Sequence, residues 1–335
     1  MSRALLSVED LRVGFRSADG GTIEAVRGVD FSVAPGEAVG IVGESGSGKS
    51  LSMLAVMRLL GAPARVTGGR VLFDSEDLLA ADEKRMRTLR GRDIAMVFQD
   101  PQSSLNPALT IGRQITDVVR AHRGVSSAEA KRIAVESLER VGIRDAGRRL
   151  ASYPHEFSGG MRQRALIAMA IACRPRLLIA DEPTTALDVT TQANIIDLLQ
   201  ELQREDGLSI LFITHDLGVV AEIADDVAVM YLGRIVERGT VDEIFADPRH
   251  PYTRALLKSV PRLGSGRGSR LAAIRGMVPS PFERPKGCDF HPRCEAAIKG
   301  VCDTVDPGTI TIGPRRDVRC ILAHEPAAPG GAAHG

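Results

Sequence analysis

Excess charge is missing from this chain. Its 43 Lys and Arg against 42 Asp and Glu leave a formal net charge of +1. That balance gives no electrostatic reason to expect a nucleic acid or another acidic partner. Long apolar runs are missing too. The longest, Ala165 to Cys173, has nine residues and lies between Arg164 and Arg174, under half of the roughly 20 that a bilayer span requires. The chain is therefore not expected to cross a membrane by itself. Its first residues meet Glu9 and Asp10 before a signal-peptide core can form, which points to the cytosol. Cysteine is scarce: of five, only Cys173 lies outside residues 288–320. In a reducing compartment the clustered four suggest a metal site or plain thiols before disulfides. No internal repeat is visible. What remains is ordinary globular usage, 44% hydrophobic and 25% charged over 335 residues, enough for a full core and about two domains.

Over residues 5–42 short apolar runs alternate with Gly-rich turns: Leu11–Phe15, then Ala18–Gly21, then Val29–Val33. This pattern predicts antiparallel strands. Ala38–Val42 is apolar throughout, as in a strand buried on both faces. It runs directly into Gly43-Glu44-Ser45-Gly46-Ser47-Gly48-Lys49-Ser50, and Leu51–Leu60 then has helical composition, ending before Gly61-Ala62-Pro63. Ile94–Phe98, Leu177–Ala180 and Ser209–Ile213 read as further buried strands. Residues from about 110 to 173 read as mainly helical, and Ile195, Ile196, Leu198, Leu199 and Leu202 form one helical face. Val227–Tyr231 and Arg234–Val236 read as a hairpin turned at Gly233. Strands alternating with helices predict an α/β fold with a parallel sheet. Gly264–Ser269 reads as a linker, residues 271–324 as a small cysteine-bearing appendage, and residues 325–335 as a disordered tail.

The chemistry begins at Gly43-x4-Gly48-Lys49-Ser50, which matches the phosphate-binding loop. Glycines let the backbone turn its N–H groups inward on a polyphosphate, and the following helix N-terminus adds a positive dipole end. Lys49 would reach the β- and γ-phosphates and Ser50 would bind Mg2+. Asp181 and Glu182 end a buried strand, on the sheet edge where ligands bind in open α/β folds. One carboxylate there can hold Mg2+ and its neighbour can orient and polarise the attacking water. A guanine reader of the Asn-Lys-x-Asp kind is excluded, because the two asparagines, Asn106 and Asn194, do not precede lysine.

Phe157-Ser158-Gly159-Gly160-Met161-Arg162-Gln163-Arg164 follows the same logic, with Ser158 as a helix N-cap and two glycines permitting close backbone approach. With it the set resembles the ATP-binding-cassette ATPases. On that resemblance Phe15 stacks on adenine, and Gln99 is the sensing glutamine after the middle strand, in the ATP site and bound to Mg2+. Ser45, Gly46, Ser47 and Leu51 join the ATP site. Ser158, Gly159, Gly160 and Met161 meet the ATP of a partner subunit. Asp188 belongs to the loop after the catalytic carboxylate. Glu182 is the general base, with His215 and Lys49 stabilising charge. Phe157 and Met161 depart from the commonest signature, while Ser158 and the glycines, which the resemblance makes the phosphate contacts, are kept. The expected fold is a RecA-like core with an antiparallel β subdomain and a helical subdomain over about 100–170, spanning 1–245.

Gln99-Asp100-Pro101-x3-Leu105-Asn106-Pro107 resembles the groove that receives a separate permease. Pro248-Arg249-His250-Pro251-Tyr252-Thr253-Arg254-Ala255-Leu256-Leu257 and the Thr184–Thr190 loop resemble the first ATP-binding subunit of bacterial oligopeptide/dipeptide importers. That family has relatives for nickel, glutathione and antimicrobial peptides. The resemblance implies a second cassette, two permease subunits, an external substrate-binding protein, no nucleic acid, and a peripheral position on the cytoplasmic membrane face. A soluble, non-transport cassette is the rival, but such proteins carry two cassettes or a long coiled-coil insertion, and Gln99 to Ser158 is too short for one. Residues 246–324 would be the importer-type C-terminal region. Its Cys288-x5-Cys294-x7-Cys302-x17-Cys320 suits four thiolate ligands. The spacing lacks the short knuckles of zinc sites. Family members with a C-terminal [4Fe–4S] cluster have a similar order, so a cluster is expected, with zinc and free thiols as alternatives. Cys173 is expected in the core and His291 in a loop.

Overall fold

In the computed structural model of the chain, residues 3–16, 20–185, 187–259 and 274–324 are described. The expected linker at Gly264–Ser269, the tail from residue 325, Ala186 and part of the Ala18–Gly21 turn lie outside them. Two sheets form. The smaller is antiparallel, in the order β2 (Thr22–Val33), β1 (Leu6–Arg16), β4 (Ala64–Phe73), β5 (Glu76–Asp77). The larger has the order β11 (Ile310–Gly313), β12 (Arg316–Val318), β10 (Arg234–Thr240), β9 (Asp226–Tyr231), β3 (Ala38–Val42), β8 (Ser209–Thr214), β7 (Leu177–Asp181), β6 (Ile94–Val97). From β9 to β6 the pairings are parallel. The edge strands β10, β12 and β11 are antiparallel.

The larger sheet is the middle layer, which explains its unbroken apolar strands. On one face Val39, Ile41, Leu177, Ile179, Leu211 and Ile213 share a core with the antiparallel sheet and with α1 (Lys49–Val56). On the other, Val42, Leu178, Ala180, Ile210 and Phe212 share a core with helices. β1, covered on one face only, alternates buried and half-exposed residues, as its period of two requires.

The remaining helices are α2 (Glu83–Leu89), α3 (Pro101–Ser104), α4 (Ile111–Arg123), α5 (Ser127–Arg140), α6 (Ala146–Arg149), α7 (Gly159–Ile171), α8 (Val189–Asp206), α9 (Leu217–Ile223), α10 (Val241–Ala246) and α11 (Pro251–Ser259). Their starts obey local capping chemistry. The side chains of Thr110, Ser126, Ser158 and Asp188 accept from the N–H three residues on. Among the described residues no helix is long and apolar enough to cross a membrane.

Two expectations need correction. α1 stops at Val56, not near Leu60, because Arg58 turns left-handed (φ +50°). The Arg58 and Leu59 N–H groups then close back on Ala55 and Leu54, the ending usually built on glycine. The Arg58 guanidinium donates to the carbonyls of Leu78 and Ala81, which holds the non-glycine turn. Cys173, expected in the core, is half-buried just past the end of α7.

Candidate nucleotide-binding site

β3, β8, β7 and β6 are parallel neighbours, so their C-terminal ends reach one rim. That rim gathers residues that are far apart in sequence. The phosphate loop leaves β3, Gln99 follows β6, Asp181 and Glu182 end β7, and His215 follows β8.

Within the loop, Ser45 and Gly46 are exposed at the crest while Ser47 and Lys49 are buried. The Lys49 ammonium donates to the carbonyls of Gly43 (2.6 Å) and Glu44 (3.1 Å). Burial lowers its pKa, against the pull of Glu182, Asp181 and Glu44. A Cβ on Gly43 would meet the Met230 carbonyl at 2.1 Å, so only glycine fits there. Gly48 has φ +103° and opens α1. Ser47 Oγ, in the same loop, is buried and has no hydrogen-bond partner.

Beside Lys49, Ser50 Oγ donates to Asp181 Oδ1 at 3.0 Å. Burial raises the Asp181 pKa, opposed by that hydrogen bond and by Lys49. A hydroxyl and a carboxylate so close form a hard-oxygen pair suited to Mg2+. Glu182 is nearly buried, with a side chain 11% exposed. Its Oε2 accepts from Gln99 Nε2 and from Thr185 Oγ1, both at 2.9 Å, and its Oε1 lies 3.4 Å from His215 Nδ1. Glu182 also holds a left-handed backbone (φ +46°), its N–H bonded to the Ile213 carbonyl. Backbone strain of this kind concentrates at functional sites. A carboxylate fixed by two donors and aimed at this rim can orient and polarise a water.

The other expected residues stand elsewhere. Phe15 is half-buried on β1, paired with Ile23 and Ala64. Leu51 is half-buried in α1. Ser158 is exposed at the N-terminus of α7, where its Oγ accepts from the Met161 N–H at 3.3 Å. Gly160 is packed so that a Cβ would meet Thr191 at 2.6 Å. Asp188 caps α8, accepting from the Thr191 N–H and hydroxyl.

These motifs lie on an ATPase cassette scaffold. Residues 26–185 match the ABC transporter family, and residues 236–302 match the oligopeptide/dipeptide transporter C-terminal region. The chain belongs to the ABC transporter ATP-binding subunits of the oligopeptide/dipeptide branch. The dipeptide transport ATP-binding protein DppD of Bacillus subtilis is 50% identical over 96% of this chain and 96% of its own. The oligopeptide transport ATP-binding protein OppD of the same organism is 51% identical, covering 97% of this chain and 90% of its own. Among solved structures, the dimeric ATP-binding cassette MJ0796 bound to ADP and Pi is similar, with TM-score 0.63 and 28% identity. That match covers 70% of this chain and 98% of the cassette. The subunit is an ATPase of ABC type, and its fold is the expected one.

Some residues of this subunit's site were not legible in sequence. Thr185, on the loop after Glu182, holds the carboxylate. Glu44, Tyr252 and Arg293 meet at the phosphate loop across more than 200 positions, and no local pattern signals that. The four clustered cysteines line one small cavity together with His250, Phe290 and His291. All five cysteines are free. Backbone N–H groups of Phe290, Ala296 and Leu322 face the sulfurs of Cys288, Cys294 and Cys320, and the Ile298 N–H faces Cys302 Sγ at 3.3 Å. Burial pushes the Cys288 thiol up to about 11. His291 sits in a short 3₁₀ turn, its Nδ1 2.9 Å from the Cys288 carbonyl. Among the described residues no three His, Cys, Asp or Glu side chains are grouped to hold a metal ion. The expectation of a ligated metal therefore gains no support from the arrangement as it stands.

Proposed function

We propose that this subunit hydrolyses ATP to drive import of di- and oligopeptides through separate permease subunits at the cytoplasmic face of the membrane. The observation that carries this is the convergence of Lys49, Ser50, Asp181, Gln99 and Glu182 on one rim. It occurs in a chain about half identical, over nearly its full length, to proteins named for dipeptide and oligopeptide transport.

The loop N–H groups and Lys49 bind the β- and γ-phosphates, and Phe15 supports the adenine. Ser50, Gln99 and Asp181 would hold Mg2+. Bound Mg2+ neutralises charge on the phosphates. Glu182, held by Gln99 and Thr185, takes the proton of the attacking water, and His215 stabilises the γ-phosphate. Ser158, Gly159, Gly160 and Met161 have no bonded contact with the phosphate loop of their own chain among the described residues, which suits a role toward the ATP of a second cassette. Closing two cassettes on shared ATP, then removing the γ-phosphate link by hydrolysis, gives an open–closed cycle. The partners are a second, similar cassette, two permeases and an external binding protein. The same geometry would serve a nickel, glutathione or antimicrobial-peptide importer.

The test is uptake of labelled di- and oligopeptides, with nickel in parallel, by cells carrying wild-type or Glu182→Gln protein as the only copy. Loss of peptide uptake is expected. Loss of nickel uptake alone would move the substrate to the metal branch.

We further propose that Cys288, Cys294, Cys302 and Cys320 hold a [4Fe–4S] cluster. Support comes from their shared cavity, the N–H groups facing the sulfurs and the absence of disulfides. Their spacing lacks the short knuckles that structural zinc sites favour. Anaerobic purification should give bound iron, acid-labile sulfide and visible absorbance. A colourless, iron-free protein would defeat this proposal.

A further inference from the structure

The phosphate loop is gripped by the C-terminal segment. Arg293, in the turn between Cys288 and Cys294, sends both terminal nitrogens to Glu44, the second residue of the loop: Nη1 to Oε2 at 2.7 Å and Nη2 to Oε1 at 2.9 Å. Its side chain is 4% exposed. The guanidinium is fixed further by the Arg275 carbonyl (2.8 Å) and lies over the Tyr231 ring. The Glu44 N–H donates to the buried Tyr252 hydroxyl at 2.9 Å. Burial raises the pKa of that phenol, so it stays neutral and adds no charge beside Glu44. Phe290 packs on Tyr252 and Tyr231, with ring centroids 5.3 Å away in each case. Asp289 pairs with Arg27 of β2, a second pin on the same segment.

Glu44 matters for the ligand because of its sign. It is close enough to Lys49 to act on the ammonium, and a free carboxylate there would repel the phosphates that Lys49 attracts. A bidentate arginine both cancels that charge and fixes the plane of the carboxylate. We propose that Arg293 is a positioning residue for ATP binding: it neutralises and orients Glu44, and so makes the cysteine-bearing segment part of the nucleotide site. The inference rests on the ATPase function proposed above.

The test is equilibrium titration of the full chain with Mg2+ and the non-hydrolysable analogue AMP-PNP. Arg293→Met should raise Kd about tenfold or more, because a partly buried carboxylate is left unpaired beside the phosphates. Adding Glu44→Gln to the same chain should restore Kd to within about threefold of wild type, since the unpaired charge is gone. A merely structural role of Arg293 would not be rescued by neutralising its partner. Unchanged binding by Arg293→Met, or a double variant as weak as the single one, overturns the proposal. If Arg293→Met fails to fold, Arg293→Gln with and without Glu44→Gln makes the same comparison. Lys49→Ala runs in parallel. Lost binding there with Arg293→Met unaffected sinks only this inference, whereas retained binding by Lys49→Ala sinks the ATP-binding function and the inference with it.

Discussion

Replacing Glu182 by glutamine separates its chemistry from its packing. In the wild type, Oε2 accepts from Gln99 and Thr185 and Oε1 faces His215. Glutamine is isosteric, and its amide oxygen can take the doubly bonded position while its NH2 group turns to His215 Nδ1. Every partner then keeps a bond, so stability and ATP affinity should change little, by less than about 0.5 kcal/mol and about threefold. What disappears is a group able to accept a proton from water. Removing a general base costs about 10²–10⁴-fold in rate, or about 3–5 kcal/mol of barrier. Glu182→Ala behaves differently: two donors lose their acceptor, and stability should fall by about 1 kcal/mol as well. The assay is steady-state ATP hydrolysis by the importer assembled with each variant, alongside thermal melting and nucleotide titration. Hydrolysis by Glu182→Gln within about tenfold of wild type would refute the assignment of the base. So would a drop in rate explained wholly by lost ATP binding.

Other substitutions test the frame around this centre. Gly43→Ala places a Cβ 2.1 Å from the Met230 carbonyl; the loop must move, and nucleotide affinity measured by titration should fall by about 10²-fold. Phe290→Ala empties a 3%-exposed position packed against Tyr231 and Tyr252; denaturant titration should show a loss of about 3 kcal/mol or more, and an unchanged midpoint would mean the C-terminal segment does not share the core. Asp188 caps α8, and hydrogen bonds from the Thr191 hydroxyl and backbone hold its carboxyl below the ordinary range. Its ionised form is favoured by folding, so its stabilisation is present above about pH 3.8 and is lost as pH falls through the lower folded value. The melting difference between wild type and Asp188→Asn should therefore be visible at pH 7 and shrink on acidification below pH 4, and a difference that grows there would contradict the sign.

Much of this protein could be read locally. Phosphate-loop glycines, helix caps and wholly apolar strands depend on neighbours one to four residues away, so Gly43–Ser50, Ser158 and Ala38–Val42 announced themselves. The hairpin at Gly233 did so too, and the structure adds that a Cβ there would strike the Ala25 carbonyl at 2.1 Å. The early end of α1 was not legible, because a left-handed Arg58 depends on carbonyls of Leu78 and Ala81 some 20 residues on. The half-exposed position of Cys173 was likewise set by what packs against it, not by its apolar neighbours.

The sequence by itself determined which residues could meet a phosphate, a magnesium ion and a water, since those chemistries need particular side chains on particular local turns. Only the tertiary structure decided which of them meet. The strand order β3-β8-β7-β6 brings Lys49, Glu182, Gln99 and His215 to one rim, and it arises from burial of both faces of a parallel sheet, a global condition that no window of sequence contains. The grip of Arg293 on Glu44 has the same origin. An ion pair spanning 249 positions exists because the C-terminal segment packs Phe290 into the core, and that packing placed a guanidinium where the phosphate loop carries a carboxylate.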